Sequence, residues 1–336
     1  MITLNDLKKY DLQKMYQVYD QWPQIAKESY NTDTDKIRLD DIDHMVFAGM
    51  GGSGAIGDVF SSILSKTNIH VSIVKGYLLP KTVDKNTLVV VTSVSGNTDE
   101  SISILRHTKK IQTNFIAFSS GGKMEKFCRN NRIEHRNIQQ IHSPRASFSS
   151  FLYYMLAILQ PLIPIKHGDI TESIKQMQKL GRNIASDNIS PDNKALELAQ
   201  WIKGIPIIYY PWGLNAAAIR FRNSLQENSK IHAMIEDVIE SSHNGIVAWE
   251  KPSNVQPILL RGKDDYYKTQ ERWEILKEYF DKKDIDYREL ISNNGSILTK
   301  VVTFIYMLDY ASIYLAVKLK TDPSPVRAID FVKSKL

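Results

Sequence analysis

The sequence predicts an α/β protein with two doubly wound parallel-sheet domains in tandem, flanked by helices. Three observations carry this prediction. From His44 onward, short apolar runs alternate with helical stretches. One of these runs, "TLVVVTSV", is apolar almost throughout and lacks the period-two alternation of a half-exposed strand, as befits a strand covered on both faces. After the polar stretch "SDNISPDNK" the alternation starts again. With 336 residues, 43% apolar and 24% charged, the chain holds enough material for two cores of ordinary size.

The opening residues read as helices and end in the charged turn "TDTDKIRLDDID". Then "HMVFAGM" is a strand, "SGAIGDVFSSILSK" a helix, "IHVSIVKGY" and "NTLVVVTSV" strands, "TDESISILRHTKK" a helix, and "NFIAFSS" and "RIEHRNI" further strands. "PRASFSSFLYYMLAIL" is an apolar helix that closes a first domain, residues 1–165 with the helical extension included. The polar helix "DITESIKQMQKLGRNIA" lies in a connection over 166–192. The second domain, 193–336, reads as helix "ALELAQWIKG", strand "IPIIYYPW", one long helix "GLNAAAIRFRNSLQENSKIHAMIEDVI", strand "QPILLRG", helix "TQERWEILKEYFDKK", strand "DYRELIS", then a helix from Ser296 and a tail laid over the active site.

Composition narrows the function. The single cysteine, Cys128, excludes an intramolecular disulfide, and the first thirty residues contain no signal-peptide core, so a cytoplasmic location is expected. Two segments mimic membrane spans. "FLYYMLAILQPLIPI" is interrupted by Pro161 and Pro164, and "VVTFIYMLDYASIYLAVKL" carries Asp309 at its centre; both read as buried helices, with no membrane partner. The net charge of +6 is spread along the chain rather than gathered in a basic tail, so it says little about nucleic acid, which is not expected as a partner, and it suits an anionic small ligand.

Two loops could hold such a ligand. Gly49-Met50-Gly51-Gly52-Ser53-Gly54 fits G-x-G-x-x-G between a strand and a helix. A nicotinamide site also wants a carboxylate at the end of the next strand, about 20 residues on, to hold the ribose. That strand ends "SIVKGY", with Lys75 instead. NAD therefore ranks below a compact phosphate, with NADP still open. Close helix–sheet packing would also explain the glycines, Gly57 among them. The second loop, "TSVSGNTDES", follows the strongest strand and opens a helix, placing Ser93, Ser95 and Thr98 hydroxyls around Gly96. Helix N-termini present unpaired N–H groups to anions, so these hydroxyls would complete a phosphate cradle; helix capping by Ser95 or Thr98 is the plainer alternative.

"GMGGSGAIGD" followed by "SVSGNTDES" resembles a sugar isomerase (SIS) domain, a flavodoxin-like fold that binds phosphosugars. "SPRASFSSFLYYML", "FRNSLQENSKIHA", "SSHNGIVAWE" and "LKTDPSPVRAIDFVKSKL" extend the resemblance, from about residue 45 to the C-terminus, to the bifunctional phosphoglucose/phosphomannose isomerases. It implies a cofactor-free, metal-free aldose–ketose isomerase of hexose 6-phosphates working through a cis-enediol. By that resemblance Gly52, Ser53, Ser93, Ser95 and Thr98 hold the phosphate, and Gly51 and Ser324 contact the substrate. Glu227 is the base, His243 opens the sugar ring, Arg145 stabilises the enediolate and Lys333 lies near the substrate. It also implies a homodimer in which His243 serves the other subunit. The family usually has a proline and a glutamate before the histidine loop and an acidic residue after it. This chain reads "VIESSHNGIVAWE", with Gly245 in the latter place. The alternative is a non-catalytic phosphosugar sensor; a glutamine amidotransferase would need an N-terminal nucleophile, and Cys128 is internal.

Overall fold

The computed structural model describes residues 2–108 and 111–335. In the first half His44–Ala48 (β1), His70–Val74 (β2), Thr87–Ser93 (β3), Asn114–Ser119 (β4) and Glu134–Asn137 (β5) form a parallel sheet in the order β2-β1-β3-β4-β5. β1 and β3 are buried at every residue, which is why neither alternates. Successive side chains serve opposite faces. Val46, Ala48, Val89 and Val91 pack on one side with Ile104 and Leu105 of helix Asp99–Thr108 and with Met124 and Cys128 of helix Gly122–Asn131. On the other side Phe47 stacks on Phe60 of helix Gly51–Leu64, with ring centroids 4.6 Å apart. Gly57 permits that approach, since a Cβ there would stand 2.9 Å from the Phe47 Cβ. The sheet is thus doubly wound.

The strand order reverses between β1 and β3. In doubly wound sheets such a reversal opens a crevice at the carboxyl ends of the two strands, which here are the two loops singled out in the sequence.

Ile205–Tyr210 (β6), Met234–Asp237 (β7), Val255–Arg261 (β8) and Arg288–Ile291 (β9) form a second parallel sheet, β7-β6-β8-β9. It repeats the order of β2-β1-β3-β4. Tyr209 and Leu259 pack on one face with Trp273, Leu276 and Phe280 of helix Tyr267–Lys282. The chain divides into two compact units. One comprises Gln21–Lys175 and Gly295–Thr299, and carries the first sheet. The other takes the N-terminal helices through Asp20, Gln176–Asn294 and the chain from Lys300 onward, and carries the second. Polar bonds draw the N-terminal helices into that second unit. Tyr19 Oη donates to Asp309 at 3.3 Å, while Asp20 accepts from the N–H and hydroxyl of Ser186 at 2.9 and 2.7 Å and from Tyr310 Oη. Helix Ile297–Lys318, the candidate membrane span with Asp309 at its centre, is buried over nearly all of its length, as a core helix should be.

Two sequence expectations need correction. "GLNAAAIRFRNSLQENSKIHAMIEDVI" is not one helix: Asn215–Ser224 is α-helical and Leu225–Ser229 π-helical, Lys230 turns left-handed at φ 59°, and β7 follows. Pairing with β6 overrides the helical pattern of "MIED", because an edge strand there covers the β6 backbone. "GGKMEKFCRNN", assigned no element, contains helix Gly122–Asn131. Helix Asp99–Thr108 matches its expected span, with Lys109 and Lys110 outside the described residues.

Candidate active site

After β1 the chain spends only Gly49 and Met50 on the turn, so Gly51, Gly52, Ser53 and Gly54 form the first turn of helix Gly51–Leu64 rather than a separate loop. The glycines differ in purpose. Cβ atoms at Gly49 and Gly54 would lie 2.9 Å from Thr92 O and 2.7 Å from Gly49 O, so these two serve packing. Gly51 has φ +51° and open space where a side chain would be, which leaves its backbone accessible. A Cβ at Gly52 would stand 3.2 Å from Pro144 O and 3.3 Å from the Arg145 Cα, which places the Arg145 turn directly against the helix start. Arg145 is 4% exposed. Ser147 fixes that turn, accepting from Ile141 N–H at 2.8 Å and donating to Ser143 O at 2.9 Å.

Ser53 is buried, and its hydroxyl accepts from the Val94 N–H at 3.0 Å, joining the helix start to the end of β3. Across that junction Ser93 and Thr98 share a hydroxyl–hydroxyl bond of 2.8 Å, and the Asn97 N–H donates to Ser95 Oγ at 3.3 Å. Two helices, Gly51–Leu64 and Asp99–Thr108, begin at these loops, so both direct N–H groups and positive dipole ends there. The first unit therefore brings Gly51, Gly52, Ser53, Ser93, Ser95, Thr98 and Arg145 into one cluster.

Sequence reasoning missed what supports the second loop. Gly96, at φ +67°, lies so close to the following crossover that a Cβ would be 1.9 Å from Gly121 O. Met124 N–H donates to Gly96 O at 2.8 Å and Lys123 N–H to Asn97 Oδ1 at 3.1 Å. A glycine pair immediately after a buried strand, as in "FSSGGK", is the signal that would have found this third loop. Lys75, at the end of β2, is paired with the buried Asp58 at 2.7 Å. That pairing accounts for the lysine without invoking a nucleotide phosphate.

The second unit places Glu227, half-buried, in the π-turn. Lys230 Nζ bridges the Glu227 carbonyl and Pro323 O, the latter at 3.2 Å, which draws the Ser324 segment to the same turn. Ser324 is 8% exposed and its N–H donates to Asp322 Oδ1 at 2.9 Å. His243 sits exposed in the turn after helix Val238–Ser241, its N–H donating to Glu240 O at 2.9 Å. Lys333 ends helix Arg327–Lys333, also exposed. Within this unit, then, the fold gathers Glu227 with the Ser324 segment and sets His243 and Lys333 on separate exposed segments.

Gly245 has a structural counterpart. The Glu236 carboxylate fills its side-chain space, with an oxygen 2.1 Å from where a Cβ would be. Burial, with Glu240 adding to it, holds Glu236 above the ordinary carboxylate range. No group of three or more His, Cys, Asp or Glu side chains among the described residues is placed to hold a metal ion.

Comparison with known proteins bears on both units. A family model described as the bacterial phospho-glucose isomerase C-terminal SIS domain matches residues 191–336, and one described as the SIS domain matches residues 38–163. A bifunctional phosphoglucose/phosphomannose isomerase of Caldicellulosiruptor bescii is 32% identical over 310 residues, covering 89% of this chain and 91% of the relative. The Aquifex aeolicus protein of the same name is 27% identical, covering 94% of each. Among solved structures, the C-terminal domain of glucosamine-fructose-6-phosphate aminotransferase from Francisella tularensis superposes with a TM-score of 0.69 at 17% identity, over 92% of this chain and 96% of that one. At that identity the likeness speaks to the fold alone.

Proposed function

This chain belongs to the bifunctional phosphoglucose/phosphomannose isomerase family, and from that premise we propose that it interconverts glucose 6-phosphate and mannose 6-phosphate with fructose 6-phosphate. It is an isomerase. The observation that carries the substrate class is the hydroxyl cluster at the β1/β3 reversal, where Ser53 is tied to Val94 and Ser93 to Thr98 beside two helix N-termini. Such an arrangement presents hydrogen-bond donors to an anion.

In this reading Ser53, Ser93, Ser95 and Thr98, with the N–H groups of Gly51 and Gly52, hold the 6-phosphate. His243 moves the proton that opens the ring. Glu227 removes the C2 proton of the aldose; the C2–H electrons form the C1=C2 bond, and the C1 carbonyl oxygen takes up charge that becomes a hydroxyl of the cis-enediol. Return of the proton to C1, with loss of the O2 proton, leaves the ketose. Arg145 opposes the enediolate charge, a role that burial strengthens. Lys333 and Ser324 contact the sugar. A proton leaves one carbon and a proton is added to its neighbour, so the overall change is redox-neutral and calls for no cofactor. Rotation about C2–C3 would offer the base the C2 hydrogen of either epimer. The protein works as a homodimer in which His243 serves the partner's site. The exposure of His243, and of Phe331 and Val332 on the C-terminal helix, supports that arrangement.

The test is incubation with fructose 6-phosphate in deuterated water, with labelling at C1 and C2 followed by NMR for the wild type and Glu227→Gln. The reading expects deuterium at both carbons for the wild type and none above background for the variant, with phosphosugar binding intact in both. Substrate binding without exchange by the wild type would overturn it.

A further inference from the structure

The π-turn that carries Glu227 is held from behind by one face of a single helix. The turn closes with the Lys230 N–H reaching back to Leu225 O. Turns of this kind are rare, occur mostly as single turns in α-helices, and lie frequently at functional sites. Four side chains of the turn and its preceding helix fasten it to helix Ile297–Lys318. Arg220 Nη2 and Nε donate to Asp309 Oδ2 at 2.7 and 3.0 Å, and Ser224 Oγ donates to Asp309 Oδ1 at 2.5 Å. One turn further along, Asn228 Nδ2 donates to Ser312 Oγ at 2.8 Å, and Ser229 Oγ to Ser312 O at 2.6 Å. Asp309 and Ser312 are fully buried, and Arg220, Ser224, Asn228 and Ser229 are each no more than 2% exposed, whereas Glu227 beside them is half-buried.

Apolar residues of similar volume would pack this interface at equal or lower cost, because a buried ion pair repays little more than its own desolvation. What polar pairs add is direction: each fixes a distance and an angle. We propose that Ser312 is a positioning residue for the Glu227 carboxylate, acting through Asn228 and Ser229, with the Arg220–Asp309 pair anchoring the preceding turn. Asn228 is the immediate neighbour of Glu227, so its bond to Ser312 sets the rotation of the π-turn and with it the line along which the carboxylate leaves the backbone. Asp309, the one acidic residue of that helix, thereby acquires a purpose. This inference rests on the assignment of Glu227 as the base.

The test compares Ser312→Ala, Asn228→Ala and their double variant with Ser186→Ala, which removes a hydroxyl bond to Asp20 at 2.7 Å in the same unit. Each is read for thermal stability, for kcat and KM with fructose 6-phosphate, and for deuterium exchange at C1 and C2. Misplacing a reacting group by a fraction of an ångström lowers kcat, so each alanine variant at the clamp is expected to lose about 10- to 100-fold in kcat with KM within about 2-fold. The double variant is expected to be no worse than the more damaged single one, because both singles break the same bond. Ser186→Ala lowers stability and keeps the wild-type kcat. If Ser312→Ala does not fold, Asn228→Ala reads the same bond from the side of the turn. Retention of the wild-type kcat by folded Ser312→Ala or Asn228→Ala overturns the clamp. If Glu227→Gln abolishes exchange while those variants turn over normally, the clamp alone falls. If Glu227→Gln exchanges normally, the base assignment falls and the clamp with it.

Discussion

The two sheets share a strand order and reverse direction at matching places, yet their reversal points are chemically opposite. At the first, β1 and β3 end in glycines and in the hydroxyls of Ser53, Ser93, Ser95 and Thr98. At the second, β6 runs into Pro211, which has no N–H, and β8 into Gly262, whose N–H already donates to Asp265 Oδ2 at 3.0 Å. Asp265 also accepts from Trp273 Nε1 at 2.9 Å. The second reversal therefore supplies its own anion, where the first, in the proposed reading, takes a foreign one. Strand order decides where a crevice can form; the residues at the strand ends decide whether it receives a phosphate. The second unit's part in the proposed chemistry comes instead from the helix after β6, where Glu227 stands.

The largest way to break this division of roles is Glu227→Gln. Loss of a general base costs typically 10²–10⁴-fold, so kcat is expected to fall by about 10³ while the phosphate loops still bind substrate. Steady-state kinetics beside phosphosugar binding checks it; a raised KM with an unchanged kcat would move Glu227 into the binding machinery.

Next comes a paired glycine test. Gly96→Ala forces a side chain into positive φ and against the Gly121 carbonyl, so we expect about 2 kcal/mol or more of lost stability, with KM raised at least about 10-fold. Gly262→Ala pushes against the Asp265 carboxylate, which must give up its bonds to the Gly262 N–H and Trp273 Nε1 to move aside; about 1–3 kcal/mol of lost stability and an unchanged KM are expected. Thermal unfolding checks both losses and KM values separate the two; equal effects on KM would erase the contrast between the reversal points.

A smaller effect is expected at the hydroxyl pair. Thr98→Val removes the partner of Ser93 and is expected to raise KM by roughly 10-fold, with less than about 1 kcal/mol of stability lost. Asp265→Ala should do the reverse, costing about 1–3 kcal/mol through two orphaned donors and leaving KM alone. A Thr98→Val protein that loses stability but keeps its KM would reduce this threonine to a helix cap.

How much of this could be read from the chain itself depends on how locally it was encoded. β1, β3 and β4 were legible because continuous burial leaves its mark in continuous apolar runs, and the two hydroxyl loops because glycine and serine after such runs have few other uses. β7 was not legible. "MIED" has only four residues, and nothing in them announces pairing with β6, from which they are separated by a helix and a π-turn. The third loop and the Glu236–Gly245 contact were missed for a related reason, being close approaches between separate segments that no local pattern announces. Glu227 itself looks like any helical glutamate until the bonds of its neighbours to Asp309 and Ser312 are seen.

The smallest expected effect sets the two units against each other by pH. Burial, aided for His44 by nearby His70, holds the His44 and His135 imidazoles of the first unit below the ordinary histidine range. As pH falls through about 6.5 the unfolded chain takes up protons that the native first unit refuses, so stability declines until the folded values are passed. In the second unit burial holds Glu236 and Asp265 above the ordinary carboxylate range. There the native state keeps protons that the unfolded chain releases, and acidification toward about pH 4 adds stability. Thermal unfolding from about pH 7.5 to about pH 5.5 should show a decline for the wild type that is shallower for His44→Gln. Equal slopes would remove His44 from the explanation.

The central claim, that the β1/β3 reversal and not its counterpart receives the phosphate, is tested most directly by titrating the uniformly labelled protein with inorganic phosphate and following backbone amide resonances. The account predicts saturable shifts at Gly51, Gly52, Ser53 and Val94–Thr98, with Gly262 and Lys263 unmoved. Shifts at Gly262 and Lys263 without any at Ser53 and Val94–Thr98 would contradict it.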